Sequence, residues 1–245
     1  MNAAALSSKS RERRLAFHAS PPNAFALWCG LLLVLLVSGC GRGGHRADLV
    51  IINGKEPESL DPAAISGEAD GRVAMALFEG LTRYNPTNGA PLPGLAERWE
   101  LSPDGRVYTF HLRANAAWST GEPITASDVV YSWRRMLDPK TGADYAGPLF
   151  YVKNGEEFAN AKITDPEQIG VHAQDARTVR VELVNPTPFF LELCAYYALA
   201  VVPRQAIERY GDRWPMTLPV PASGAYQLEA WRLNDKIRLR KNPHY

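Results

Sequence analysis

The 245-residue chain contains little of what disulfide or metal chemistry requires. It has only three cysteines, and two of them, Cys29 and Cys40, belong to an apolar N-terminal run or directly follow it. The third, Cys194, is left without a second cysteine for an internal disulfide, and its apolar surroundings predict a small buried side chain rather than a nucleophile. The five histidines are not spaced as zinc ligands, so we expect no metal or other cofactor.

Motifs of catalysis and of nucleotide binding are also missing from the sequence. There is no Gly-x-Ser-x-Gly nucleophile elbow, no phosphate-binding loop and no dinucleotide fingerprint. Carboxylates are plentiful early in the chain, for example Glu56, Glu58 and Asp61, but we interpret them as solvated loop charges rather than as an acid–base pair. These absences predict a protein that is not an enzyme.

Charge of one sign is not in excess either. The whole chain has 27 Lys and Arg against 26 Asp and Glu, and the part after residue 40 has 23 against 25. A nearly neutral chain offers no electrostatic footprint for nucleic acid, so we expect no nucleic-acid partner. The 205 residues after position 40 are enough for one large domain or two small ones.

No apolar run is long enough to cross a bilayer. Residues 25–37 form an apolar stretch of 13 residues, whereas about 20 are needed. Basic residues precede this stretch and small residues end it, which is the composition of a secretory signal. Residues 37–40, Val-Ser-Gly-Cys, resemble the bacterial lipobox. We therefore predict a signal peptide over residues 1–40, lipidation of Cys40, and an extracytoplasmic protein anchored to a bacterial membrane. The alternative is an uncleaved anchor helix.

The pattern after a flexible linker at residues 41–47 is typical of a mixed α/β protein. β-branched or alternating runs predict strands at 49–52, 82–84, 178–183 and 200–202, and hairpins with arms 99–101/107–112 and 226–232/236–240. Residues 85–94 read as a loop rich in proline, glycine and asparagine. Helical spacing of apolar residues predicts helices at 71–81 and 189–197. A third helix is predicted after Thr125, whose side chain would cap it together with Asp128. A fourth is predicted to begin at Pro203 and to end before Gly211, with Ile207 and Tyr210 pointing inward.

Ten short blocks, in constant order and spacing from about Asp48 to the last residue, carry a more specific signal. They are residues 58–62, 77–81, 93–99, 108–113, 118–128, 131–135, 137–139, 185–190, 202–203 and 242–245. Each block alone is compatible with core packing or a turn, but their order resembles the oligopeptide- and dipeptide-binding family, the solute-binding proteins of bacterial peptide ABC transporters. The last block, Asn-Pro-His-Tyr, is similar to the family's Asn-Pro-x-Tyr.

This resemblance implies a two-lobed, periplasmic-binding-protein-like (type II) α/β architecture of which the chain contains only the first lobe and an inserted subdomain. Residues 48–77 and 203–245 would form part of the first lobe, and residues 78–202 the inserted α/β subdomain. The protein would be a monomer that captures an oligopeptide and delivers it to ABC permease subunits. Relatives that take nickel, haem or sugars leave the ligand open.

The same resemblance implies a ligand contact at Ser66, Gly67 and Glu68, where the peptide would pair like an added strand, and a lobe-facing tyrosine at Tyr145. The alternatives are a polar surface loop for residues 66–68 and a packed core aromatic for Tyr145. Where the family usually has asparagine, this chain has Ser223, so the bridge that the asparagine makes is open to question.

Three other functions remain open on sequence alone. They are a signalling or chaperone-like binding module on the same fold, a lipoprotein hydrolase, and a truncated, non-functional remnant of such a binder.

Overall fold

The computed structural model describes residues 47–245, so the predicted signal peptide, Cys40 and most of the predicted linker lie outside the described residues. The chain divides after Ile52 into two units. The strand predicted at residues 49–52 is wrong. These residues adopt no strand, and their four side chains are 62% exposed or more. A strand needs a hydrogen-bonded neighbour, and none of the strands within residues 47–245 pairs with this run.

The unit from Asn53 to Tyr245 mixes short helices and strands. Its α-helices are α1 Glu68–Leu77, α2 Ala126–Leu137, α3 Gly155–Ala159, α4 Phe190–Leu193 and α5 Arg204–Tyr210. Its strands are β1 Thr82–Tyr84, β2 Pro91–Pro93, β3 Ala96–Leu101, β4 Val107–Leu112, β5 Val171–Ala173, β6 Thr178–Glu182, β7 Tyr226–Arg232 and β8 Lys236–Lys241. Short 3₁₀ helices lie at Pro62–Ala64, Gly147–Tyr151, Pro166–Gln168, Tyr197–Leu199 and Gly211–Met216. None of these helices has the length and apolar composition to cross a bilayer.

An antiparallel four-stranded sheet in the order β3-β4-β6-β5 forms the centre of this unit. In β4 the side chains of Tyr108, Phe110 and Leu112 are buried and alternate with partly exposed neighbours, as the sequence pattern predicted. Helix α2 packs against β5 and β6. Two further pairs, β1–β2 and β7–β8, are antiparallel two-stranded sheets.

Local signals set the predicted start of helix α2. The Thr125 backbone N–H donates to Asp128 Oδ2 at 2.8 Å, and the Thr125 side chain takes part in the same capping box, which confirms the predicted cap. The helix ends at Leu137, before Asp138 and Pro139. Its Trp133 is fully buried and donates from Nε1 to the carbonyl oxygen of Leu199 at 3.0 Å.

Several predicted elements differ where tertiary contacts override the local pattern. Helix α1 ends at Leu77 rather than at residue 81, because the chain turns extended at Phe78 and the Leu77 carbonyl accepts from Gly224. The helix predicted at 189–197 is split into α4 and a 3₁₀ turn, and residues 200–202 are extended but form no strand. The predicted loop at 85–94 contains β2, which pairs with β1. Tyr210, predicted to point inward, is 42% exposed.

Buried apolar side chains form two clusters. The larger lies around the four-stranded sheet and α2 and includes Phe110, Trp133 and Phe190. The smaller combines early and late parts of the chain, and its members include Leu60, Leu77, Phe78, Trp214 and Leu228. The carboxylate of Glu56 adds a polar link between the same parts, since it accepts from Trp231 Nε1 at 2.6 Å and from the Asn234 backbone N–H at 3.1 Å.

Candidate binding site

The segment predicted to contact a ligand is an extended stretch before helix α1. Ile65 has φ −132° and ψ 144°, and Gly67 has φ −87° and ψ 151°, which are strand-like angles. Ser66 between them is exposed. Within residues 47–245, neither the N–H nor the C=O of Ser66 makes a hydrogen bond. Backbone groups of this kind are able to pair with an added strand.

Contacts of Asp70 and Gly67 fix the position at which helix α1 begins. Asp70 is buried, accepts from the Glu58 backbone N–H at 2.8 Å and lies 3.9 Å from Lys55 Nζ. A Cβ at Gly67 would lie 2.4 Å from Asp70 Oδ2, so the residue before the helix must be a glycine for this packing to exist. The exposed carboxylate of Glu68 accepts from Arg72 Nη2 at 2.8 Å and is therefore already paired within its own helix.

Tyr145 belongs to a cluster of three tyrosines. Its ring centroid lies 5.5 Å from that of Tyr196 and 6.4 Å from that of Tyr197, and the Tyr196 and Tyr197 rings are 4.3 Å apart. Tyr145 is 42% exposed, so it lines the surface rather than the core, whereas Tyr197 is only 4% exposed. We call these three residues the tyrosine cluster.

Gly71 brings the tyrosine cluster against helix α1. A Cβ at this position would lie 2.7 Å from Tyr197 Cε1, closer than side-chain atoms pack, so only glycine allows the ring to approach. Gly71 follows Glu68 by three residues in the same helix. Tyr197 therefore contacts both the helix that begins at the Ser66–Glu68 segment and Tyr145. The residues predicted at 66–68 and at 145 remain predictions as ligand contacts.

A second polar assembly joins distant parts of the chain at Glu79, which is 7% exposed. Its carboxylate accepts from Arg113 Nη2 at 3.0 Å and from the Tyr245 hydroxyl at 2.7 Å, and the Arg113 guanidinium lies 5.5 Å from the centre of the Tyr245 ring. Burial raises the pKa of Glu79, although Tyr245 and Arg113 oppose that shift. Burial, together with Glu79, raises the pKa of Tyr245 to about 12.

Ser223, which stands where the family usually has asparagine, bridges two segments of this chain. It is 1% exposed, its Oγ accepts from the Glu79 backbone N–H at 3.0 Å, and its hydroxyl donates to the Val201 carbonyl at 2.9 Å. The Val201 N–H in turn donates to the Glu79 carbonyl at 3.0 Å. The chain passes between its two apolar clusters near residue 79 and again near residue 201. The Ser223 hydroxyl connects these two segments.

Cys194 belongs to the larger apolar cluster. Cys194 is fully buried, as predicted, and burial raises the pKa of its thiol well above the ordinary value, which makes it a poor nucleophile. Among residues 47–245, no group of three or more His, Cys, Asp or Glu is arranged to hold a metal ion. Sequence reasoning missed Tyr196, Tyr197 and Glu79, because no local pattern indicated that they meet Tyr145 and Tyr245.

Comparison with known proteins gives consistent matches. Residues 90–245 match the family described as "Bacterial extracellular solute-binding proteins, family 5 Middle". The periplasmic oligopeptide-binding protein OppA of Salmonella typhimurium is 42% identical over 202 residues, which are 82% of this chain and 37% of that protein. The probable deoxycholate-binding periplasmic protein YgiS of Escherichia coli is 38% identical over 195 residues, 79% of this chain and 36% of that protein.

A solved structure agrees with the sequence matches. The crystal structure of Haemophilus influenzae OppA in complex with the peptide RPPGFSPFR superimposes with a TM-score of 0.75 at 39% identity, over 79% of this chain and 38% of that one. The predicted α/β architecture of the periplasmic binding proteins is confirmed for the part these matches cover. The chain spans little more than a third of the length of these relatives.

Proposed function

The chain belongs to the bacterial extracellular solute-binding proteins of family 5, and from that premise we propose that it is the N-terminal part of the peptide-binding component of an ABC importer. Such a component captures oligopeptides outside the cytoplasm and delivers them to a membrane permease. It performs no chemistry on the peptide, so the proposed protein is not an enzyme. Support comes from relatives that are named as oligopeptide-binding proteins.

The observation that carries the proposal is the extended segment at Ser66. Its flanking residues have strand-like angles, and its own N–H and C=O are unpaired within residues 47–245. A peptide bound alongside this segment would gain main-chain hydrogen bonds that do not depend on its side chains. Gly67 and Glu68 follow Ser66 at the start of helix α1, and the partly exposed Tyr145 supplies an aromatic surface beside that helix.

The cellular setting is part of the same proposal. Cleavage before Cys40 would leave this residue, in its lipidated form, to hold the protein at a membrane surface, and residues 41–47 would act as a tether. The protein would bind as a monomer. Residues 48–77 with 203–245, and residues 78–202, would form two subdomains. The two apolar clusters follow this division only in part, because Ala74 belongs to the larger cluster and Phe78 to the smaller one.

The test begins with the native product, because the relatives are much longer than this chain. An antibody against residues 48–112 gives the mass of the product in its own cells, and that product is purified for calorimetric titration. We expect saturable binding of tri- to pentapeptides that differ in side chains, and weaker binding of deoxycholate, which the name of one relative makes the appropriate competitor. Tight binding of deoxycholate with no binding of any peptide would overturn the proposal.

A cellular arm separates import from a signalling or chaperone role. Deletion of the gene should lower the uptake of a labelled tripeptide, and substitution of Cys40 by Ala should release the protein from the membrane fraction. Unchanged uptake in cells whose product binds peptide would favour the signalling or chaperone module. A native product no longer than this chain that binds no peptide would favour the remnant.

A further inference from the structure

The hydroxyl of Tyr197 is an unusual feature of the tyrosine cluster. The residue is 4% exposed, and within residues 47–245 no group donates a hydrogen bond to this hydroxyl or accepts one from it. A buried polar group without a partner is destabilising, and such groups are few in folded proteins. The unpaired hydroxyl therefore indicates a partner that comes from outside the described chain.

The surroundings of this hydroxyl favour a hydrogen-bond acceptor as its partner. Burial raises the pKa of Tyr196 above its ordinary value. The phenol of Tyr196 therefore stays protonated at any physiological pH. A protonated phenol can donate its O–H to an oxygen atom that only accepts, such as a carbonyl or carboxylate oxygen.

The location of the cluster indicates which molecule supplies that oxygen. Tyr197 packs on Gly71 of helix α1, the helix that begins at the extended, unpaired Ser66 segment. A peptide that pairs with this segment carries carbonyl oxygens along its length and a carboxylate at its end. Tyr145, the most exposed member of the cluster, lies in the loop before the 3₁₀ turn Gly147–Tyr151 and beside the Tyr197 ring.

Resting on the proposed peptide-binding function, we propose that Tyr196 and Tyr197 form a subsite for an acceptor oxygen of the bound peptide. The Tyr197 hydroxyl donates to a main-chain carbonyl or to the terminal carboxylate, two sources of the same chemistry. Ligand binding would thereby give a partner to a hydroxyl that has none within residues 47–245.

The decisive variant is Tyr197→Phe in the purified native product, titrated with trialanine and with trialanine amide. Loss of one hydrogen bond should weaken binding about five- to tenfold. The stability of the unliganded protein should stay equal or rise, because the substitution removes a buried hydroxyl without a partner. An equal effect on both peptides assigns the carbonyl, and an effect on the free acid alone assigns the carboxylate.

Tyr210→Phe is the matched control. Tyr210 is 42% exposed on helix α5, and its substitution should change neither binding nor stability. Unchanged affinity of Tyr197→Phe, while the wild type binds trialanine, would overturn this subsite alone. Lower stability of the unliganded variant with unchanged affinity would assign the hydroxyl to an internal water. Failure of the wild type to bind any peptide would instead overturn the proposed function.

Discussion

The Tyr245 hydroxyl donates a 2.7 Å hydrogen bond to Oε1 of Glu79, which lies 166 positions earlier in the chain. The acceptor is a buried carboxylate that also binds Arg113. Through this one contact, the end of the Asn-Pro-His-Tyr block stabilises the segment where the chain leaves helix α1. Asn242 supports the same turn, because its Nδ2 donates to the Gly224 carbonyl at 2.8 Å and its Oδ1 accepts from the His244 N–H.

Tyr245→Phe should lower the free energy of unfolding by about 2 kcal/mol, because hydrogen bonds to charged groups are worth about 1.5–3 kcal/mol. Urea denaturation of the 245-residue chain measures this free energy of unfolding. Tyr226→Phe is the control, since Tyr226 is 40% exposed and makes no side-chain hydrogen bond within residues 47–245. Equal stability of the two variants would show that the Tyr245 contact contributes nothing.

Glu79→Gln should alter how stability depends on pH. Burial raises the Glu79 pKa above its ordinary value of 4.5, so the folded state binds this proton more tightly than the unfolded state. Its contribution is complete below about pH 4.5 and is lost as the pH rises through the raised value. The free energy of unfolding of the wild type minus that of Glu79→Gln should therefore fall as the pH rises above about 4.5.

Glu182→Gln provides the opposite case for that experiment. Hydrogen bonds from Arg180 and Lys153 lower the Glu182 pKa to about 2. Its contribution to stability is present above about pH 4.5 and is lost as the pH falls toward 2, so the difference from wild type should be constant between pH 5 and pH 8. A slope of the same sign for both variants would contradict the assignment to Glu79.

Ser223→Ala should destabilise the chain by about 1–3 kcal/mol, because it leaves the buried Glu79 N–H and Val201 carbonyl without their shared partner. Thermal unfolding of the 245-residue chain is the measurement. Ser66→Ala is the control, since Ser66 is exposed and its hydroxyl has no partner within residues 47–245. Ser223→Thr, which keeps the hydroxyl, should recover part of the loss. If Ser223→Ala were as stable as Ser66→Ala, the Ser223 hydroxyl would make no net contribution to the stability of the chain.

Gly71→Ala should be destabilising although alanine is the better helix former by about 1 kcal/mol. The new methyl group would lie 2.7 Å from Tyr197 Cε1 and would displace the ring. Peptide affinity should fall with it, as measured by titration of the native product. Gly147→Ala is the matched control, because no atom lies within 4 Å of a Cβ at that position. A gain in stability at Gly71 would show that Tyr197 has room to move.

The features that the sequence predicted correctly are set by residues that are close together along the chain. The β3–β4 hairpin follows from side-chain alternation about the Asp-Gly turn, where Gly105 has φ +70°, and helix α2 follows from its Thr125 cap. The tyrosine cluster and the Glu79 assembly were not predictable, since Tyr145 meets Tyr197, and Glu79 meets Tyr245, only after the chain has folded. Residues 49–52 have the composition of a strand, but composition does not provide a pairing partner.

The two apolar clusters imply an order of events during synthesis. The larger cluster is complete once Val201 has left the ribosome, whereas the smaller one waits for Leu228 and the Glu56 link waits for Trp231 and Asn234. At about 5–20 residues per second, that delay lasts about 1–6 seconds. During this interval Leu60 and Phe78 lack Leu228, with which they share the smaller cluster, so part of the apolar surface of that cluster is open to a holdase chaperone.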